Sequence, residues 1–288
     1  MAQAYHRDNW IQEKIDIISG QFVPNDVVSG WFLMDSFWPV AAMLGVYAFL
    51  CLKVGPEFME SRKPLKLKGF TLAYNFIQVM LNGWFVWLLL TFPGFFSHIQ
   101  KQICRPIGRE DNPLLYNTIS YYGYYFFMSK VFDLLDTIFY ISRKTKSQIT
   151  CVLVLHHISA VFTAWIYLKY LSDGYIVLIG ALNAFARCCM NSYFFLAAFG
   201  PSVRKYLCWR KYITQLQLAQ FVVGITLVTS LLWKGCLVST TLAHWLLANI
   251  LLNLILFAKF YIESYQKRNQ VRIEIKINGS SVIEGKNN

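Results

Sequence analysis

Seven stretches of about twenty largely apolar residues constrain this chain more than any other feature, because a helix of that length spans the hydrocarbon core of a bilayer. They cover Trp31–Leu52, Phe70–Pro93, Tyr116–Ile141, Ile149–Leu171, Gly174–Gly200, Ile213–Leu232 and Val238–Tyr261. With 56% hydrophobic and 15% charged residues, the chain is too apolar for an ordinary soluble domain. The expectation is an all-α, multi-pass membrane helical bundle of about seven transmembrane helices, with one domain over residues 31–262. Residues 1–30 form a polar lumenal segment without the apolar core of a cleavable signal, so the first helix should act as its own insertion signal. Residues 263–288 read as a cytosolic, disordered tail, since the alternating Val271–Ile277 stretch has no partner strand.

A net charge of +12 invites a nucleic-acid reading, but topology accounts for where the charge lies. If helices alternate from a lumenal N-terminus, sixteen Lys and Arg fall on the cytosolic side, within 53–68, 143–146, 204–211 and 267–276. Seven lie opposite: Arg7, Lys14, Lys101, Arg105, Arg109, Lys169 and Lys234. That is the positive-inside asymmetry. It places the C-terminus in the cytosol and makes membrane lipids, with their anionic headgroups, the partner of the charge in place of nucleic acid. Of seven cysteines, Cys104 and Cys236 are the two that fall in lumenal loops. The lumen of the endoplasmic reticulum permits disulfides, so these two are expected to pair, with two free thiols as the alternative. The other five read as packing residues.

Ionisable groups at membrane depth are costly and mark functional sites. The third stretch carries Lys130, Asp133 and Asp136 at i, i+3 and i+6, along one helix face. Lys130 can neutralise Asp133, which leaves Asp136 to find a partner elsewhere; a packing ion pair is the plainer reading. The fourth stretch carries His156 and His157, which point about 100° apart on a helix and so face different surroundings. The fifth carries Asn183, Arg187, Met190 and Asn191. Arg187 stays charged and needs an anion, for which Asp133 and Asp136 are the candidates. The sixth opens with Thr214, Gln217 and Gln220 on one face, either a binding stripe or interhelical hydrogen-bond glue.

Together these helices supply a polar cluster toward the cytosolic half of an otherwise apolar interior. Such a pocket suits a substrate with a long apolar tail and a reactive polar head, with histidine as nucleophile or base. Five histidines, of which His6 and His98 lie in lumenal segments, do not make a convincing di-iron site, so no metal is expected. A seven-helix receptor has no need of this set, and the repeats and broken helices of transporters are not seen.

In order along the chain, these residues resemble the ELO family of very-long-chain fatty acid elongases, from about Trp31 to Tyr265. Trp31-Phe32-Leu33-Met34-Asp35 opens the first helix, and Gly55-Pro56, Arg62-Lys63-Pro64, Leu67-Lys68-Gly69 and Tyr74-Asn75-Phe76 lead into the second. Lys130-x-x-Asp133-x-x-Asp136-Thr137 is similar to the family's K-x-x-E-x-x-D-T. The segment ending in His156-His157 is similar to H-x-x-H-H, and Thr214-x-x-Gln217-x-x-Gln220 to T-x-x-Q-x-x-Q. The resemblance implies seven helices, six of them enclosing an acyl-chain tunnel closed at the lumenal end, in the endoplasmic reticulum membrane. It implies condensation of acyl-CoA with malonyl-CoA to 3-oxoacyl-CoA, carbon dioxide and CoA, without a cofactor. His156 would take the acyl group as nucleophile, supported by His157, Arg187, Asp133 and Asp136. Lys130, Asn183, Met190, Thr214, Gln217 and Gln220 would bind substrate, and Lys130 with the basic cytosolic loops would hold CoA phosphates. Other elongases and enzymes of the elongation cycle are the implied protein partners. Cys104 and Cys236 also sit where family members carry a lumenal disulfide.

The chain departs from the pattern at four positions. Leu153 stands where the box has its first histidine, and Asp133 where the third-helix motif has glutamate. Arg187-x-x-Met190-Asn191 replaces H-x-x-M-Y. Two readings follow. One is an active, diverged acyltransferase in which Arg187 stabilises the enolate formed on decarboxylation. The other is a non-catalytic relative that binds acyl-CoA or assists an active elongase. Retention of His156-His157 and of the glutamine stripe favours the first.

Overall fold

The computed structural model describes residues 24–97, 109–110, 112–144, 147–170, 174–207, 209–235 and 239–262. Among them, all regular structure is helical. In chain order the helices are α1 (Phe37–Glu60), α2 (Lys68–Thr91), α3 (Pro113–Asp133), α4 (Leu135–Ser142), α5 (Ser147–Tyr170), α6 (Gly174–Ala197), α7 (Pro201–Arg204), α8 (Arg210–Trp233) and α9 (Thr240–Tyr261). Six of these, α1, α2, α5, α6, α8 and α9, are long and apolar enough to cross a membrane. The third apolar stretch is also helical but splits into α3 and α4 at Leu134, between Asp133 and Asp136. The chain is thus a multi-pass helical membrane bundle.

Helix ends follow local chemistry. Asn112 accepts from the Leu115 N–H ahead of Pro113, Ser239 accepts from Leu242, and Ser36 opens α1. Ser36 also explains why α1 starts at Phe37 and not at Trp31: the preceding segment turns, with Leu33 at φ 65°. Near its far end α1 passes through a π-helical turn, Leu50–Val54. Pro56 lacks the N–H that Leu52 would need in an α-helix, and the Gly55 N–H reaches back to Leu50 O instead. Only glycine fits there, since a Cβ at Gly55 would lie 2.9 Å from Leu50 O and 3.1 Å from Ile141 Cγ2.

Helix contacts close into a ring. α2 packs on α6, α6 on α8, α8 on α9, α9 on α5, α5 on α3, and α3 returns to α2, while α1 lies outside against α4 and α5. The bundle is apolar outside, with Trp38, Phe70 and Trp233 largely exposed, and its apolar core also holds buried polar groups, Asn75, Gln78 and Asn82 of α2 among them. An apolar surface with its polar groups turned inward fits a chain solvated by lipid. A strap over residues 24–36 crosses one end of the ring. It is held there by Asn25 N–H donating to Lys169 O (2.8 Å), Trp165 Nε1 to Leu33 O (2.8 Å) and Lys169 Nζ to Met34 O (2.6 Å). Cys104, Cys236, His6, His98 and the tail from residue 263 lie outside the described residues.

Candidate active site

The break at Leu134 places two carboxylates side by side. Arg187, projecting from α6, pairs with both: its guanidinium meets Asp133 Oδ1 and, at 2.9 Å, Asp136 Oδ2. Lys130 Nζ lies 3.2 Å from Asp133 Oδ2 and donates to Asn183 Oδ1 at 2.8 Å. Two cations thus balance two carboxylates, which is what burial of these charges requires. Gln78 of α2 donates to Asp133, and Tyr47 of α1 is bonded to Thr137 at 2.7 Å. His157 Nε2 is 3.9 Å from Asp136 Oδ2, too long for a hydrogen bond.

The two histidines face different surroundings, with ring centroids 5.5 Å apart. His156 turns to α9, where its Nδ1 lies 2.8 Å from Asn253 Oδ1. The Asn253 amide nitrogen donates to Asn249, to its backbone O at 2.9 Å and its Oδ1 at 3.0 Å. The Asn253 oxygen is therefore what the imidazole meets, and an amide oxygen only accepts. In the neutral ring, Nδ1 must carry the proton, and Nε2 keeps its lone pair. Ser159 Oγ completes this group by donating to His156 O at 2.9 Å.

His156, Lys130, Asn183, Asn249 and Asn253 line the polar end of a cavity of about 260 Å³ inside the ring. Phe85, Phe126, Ile250 and Leu168 are among its apolar walls, which run to Asn25, Phe95 and Leu115. Asp133, Asp136, His157 and Arg187 are not lining residues; they pack behind Lys130 and His156. On α8, Thr214 is buried and Gln217 Nε2 donates to Met190 Sδ at 3.2 Å. Among the described residues, Gln220 Oε1, Arg187 Nε, His157 Nε2 and both amide atoms of Asn191 are buried without a hydrogen-bond partner. No group of three or more His, Cys, Asp or Glu among those residues could hold a metal ion.

Arg187 therefore does meet the carboxylates expected for it, taking both at once. Gln78, Asn249, Asn253 and Ser159 were not singled out by charge. For the amides the signal was spacing: Asn75, Gln78 and Asn82 at i, i+3 and i+7, and Asn249 with Asn253 at i and i+4, each mark one face of an apolar helix, whereas Ser159 carried no such signal.

Residues 32–272 match the family described as ELO: GNS1/SUR4 family. Similar proteins include a very long chain fatty acid elongase of Aedes aegypti, 31% identical over 242 residues, 84% of this chain and 67% of that one. Human very long chain fatty acid elongase 4 is 34% identical over 241 residues, 83% of this chain and 75% of that one. Very long chain fatty acid elongase 5 of Xenopus tropicalis is 31% identical over 284 residues, 98% of this chain and 93% of that one.

Proposed function

The chain belongs to the ELO family and works in fatty acid elongation, and from that premise we propose that it condenses long-chain acyl-CoA with malonyl-CoA. The products are 3-oxoacyl-CoA, carbon dioxide and CoA, the first step of very-long-chain fatty acid elongation. One observation carries the reading: His156 stands at the polar end of an apolar cavity with Nδ1 committed to Asn253, which leaves Nε2 as a nucleophile.

In this mechanism Nε2 attacks the acyl thioester carbon, and the C–S bond breaks with CoA leaving as thiolate. The acyl group stays on His156 with its chain in the cavity. Malonyl-CoA then loses carbon dioxide, and the carbon that carried the carboxylate attacks the acyl carbonyl. The C–N bond to His156 breaks and returns the lone pair to Nε2. Lys130 Nζ lines the same end and can stabilise the enolate oxygen or the tetrahedral oxyanion. Arg187 works at one remove. Its guanidinium is occupied by Asp133 and Asp136, so it acts as the counter-ion that holds the carboxylates, and through Asp133 the lysine, in place. No cofactor is required, because loss of carbon dioxide generates the carbanion.

The site opens to the cytosol of an endoplasmic reticulum membrane in this reading, with the N-terminus lumenal and CoA phosphates on the basic loops. Lys144, which donates to Glu60 O at 2.9 Å, and Arg143, bonded to Thr71, tie those loops together. The test is condensation by purified full-length protein with malonyl-CoA and acyl-CoAs of graded length, beside His156→Ala. Product that disappears in the variant supports the reading. Bound acyl-CoA with no product at any length would make the chain a non-catalytic member that assists an active elongase.

A further inference from the structure

Acyl transfer to His156 needs a proton that neither substrate brings. The C–S bond breaks to give CoA as a thiolate, whereas an alkyl thiol in neutral water is mostly protonated. The donor must stand at the polar end of the cavity, where the sulfur leaves. Among the described residues, the ionisable side chains lining the cavity are Tyr122, Lys130, His156 and Tyr167. Tyr122 lies eight residues from Lys130 along α3, or ~12 Å, and Tyr167 eleven from His156 along α5, or ~16 Å. The Tyr167 hydroxyl is also spent on Leu242 O, at 2.6 Å. In His156 the one ring proton sits on Nδ1, held by Asn253, across the ring from the nitrogen that takes the acyl group. Arg187 does not line the cavity, is engaged by both carboxylates, and does not deprotonate. Lys130 remains.

The Lys130 ammonium has three N–H groups. One meets Asp133 Oδ2 at 3.2 Å and a second Asn183 Oδ1 at 2.8 Å. The third has neither of these acceptors, and Nζ sits over the ring face of Phe126, itself a cavity wall, 4.7 Å from the centroid. We propose that Lys130 is the general acid of acyl transfer: as the C–S bond breaks, its third N–H proton passes to the CoA sulfur, and CoA leaves as the thiol. Charge is conserved in the site. His156 Nε2 gains the acyl group, and its ring becomes an acyl-imidazolium with one positive charge. Lys130 becomes a neutral amine and loses one. The two buried carboxylates therefore keep their counter-charge throughout. A proton from the cytosolic side then restores the ammonium, so Lys130 is again a cation when malonyl-CoA forms its enolate. This deepens the condensation reading and rests on it for His156 as the acyl acceptor.

The experiment follows the acylation half-reaction alone, with full-length protein in nanodiscs, no malonyl-CoA, and the acylated protein counted against time by intact-protein mass spectrometry. Three donors carry the same acyl chain. One is acyl-CoA; the second is the N-acetylcysteamine thioester, whose leaving group is an alkyl thiol without phosphates. The third is the para-nitrothiophenol thioester, whose thiolate leaves without a proton. Lys130→Met should slow acylation from both alkyl thioesters roughly a hundred- to ten-thousand-fold, the worth of a general acid. With the aryl thioester it should come within about tenfold of wild type. Lys130→Arg keeps the charge but has no proton to give, so it should show the same pattern; if Lys130→Met does not fold, this variant decides. Acylation of Lys130→Arg by acyl-CoA within about threefold of wild type would show that charge suffices and would overturn the acid. Equal loss with alkyl and aryl donors, the mark of an oxyanion or packing role, would overturn it too. So would a loss confined to acyl-CoA, the mark of a phosphate anchor. Wild type is assayed for condensation beside them. Product formed alongside any of these three results leaves condensation standing without the acid, whereas wild type that takes no acyl group from any donor overturns both.

Discussion

Asn253→Leu tests the orientation of His156 directly. The substitution is close in volume and suits an apolar helix, so packing should survive. It removes the one acceptor that His156 Nδ1–H has in this site, the oxygen at 2.8 Å. The proton is then free to sit on either ring nitrogen, and with Nδ1–H the reactive form strands a desolvated donor at a cost of ~1–3 kcal/mol. At 1.36 kcal/mol per tenfold, kcat should fall roughly 5- to 150-fold. The change does not touch Lys130 or Asn183, so KM for malonyl-CoA should stay near its original value. Asn253→Asp keeps an acceptor oxygen and should recover a large part of kcat, which a merely structural asparagine would not predict. The assay is steady-state condensation, joined to intact-protein mass spectrometry of protein charged with acyl-CoA in the absence of malonyl-CoA. The acylated species should form more slowly in Asn253→Leu and normally in Asn253→Asp. A kcat for Asn253→Leu within about twofold of wild type, with His156→Ala inactive, would refute the tautomer argument.

Three further outcomes are expected. Arg187→Ala leaves two buried carboxylates with Lys130 alone and should cost about 3–5 kcal/mol of stability, read as thermal unfolding in detergent. Adding Asp136→Asn should restore most of it, and failure to do so would mean that Arg187 is not a counter-ion. Gln220→Met removes a buried oxygen that has no partner among the described residues, so stability should hold or rise. If Oε1 receives an amide N–H of the CoA arm, KM for acyl-CoA should increase roughly 2- to 12-fold, the worth of one neutral hydrogen bond. Non-reducing peptide mapping should recover Cys104 and Cys236 in one cross-linked fragment; recovery as two alkylated thiols would count against a lumenal bridge.

Membrane residence was legible in the sequence because it is a local property. A window of about twenty apolar residues must form a helix in lipid, whatever lies elsewhere in the chain. The order of the motifs was legible for the same reason, as was the presence of Lys130, Asp133, Asp136, His156, His157 and Arg187 on helices of the bundle. Spacing also aligned the first three on one face, though it could not show that the helix breaks at Leu134, between the two carboxylates. Partners across the bundle were another matter. That Arg187 takes both carboxylates, that Asn253 orients a histidine 97 residues away, and that Asn25 meets Ser120 95 residues on, all depend on how the helices close into a ring. Helical periodicity gives the face on which a side chain lies but not the helix that face will meet. Only the tertiary structure, by fixing which helices are neighbours and at what height, decided which polar groups became a site.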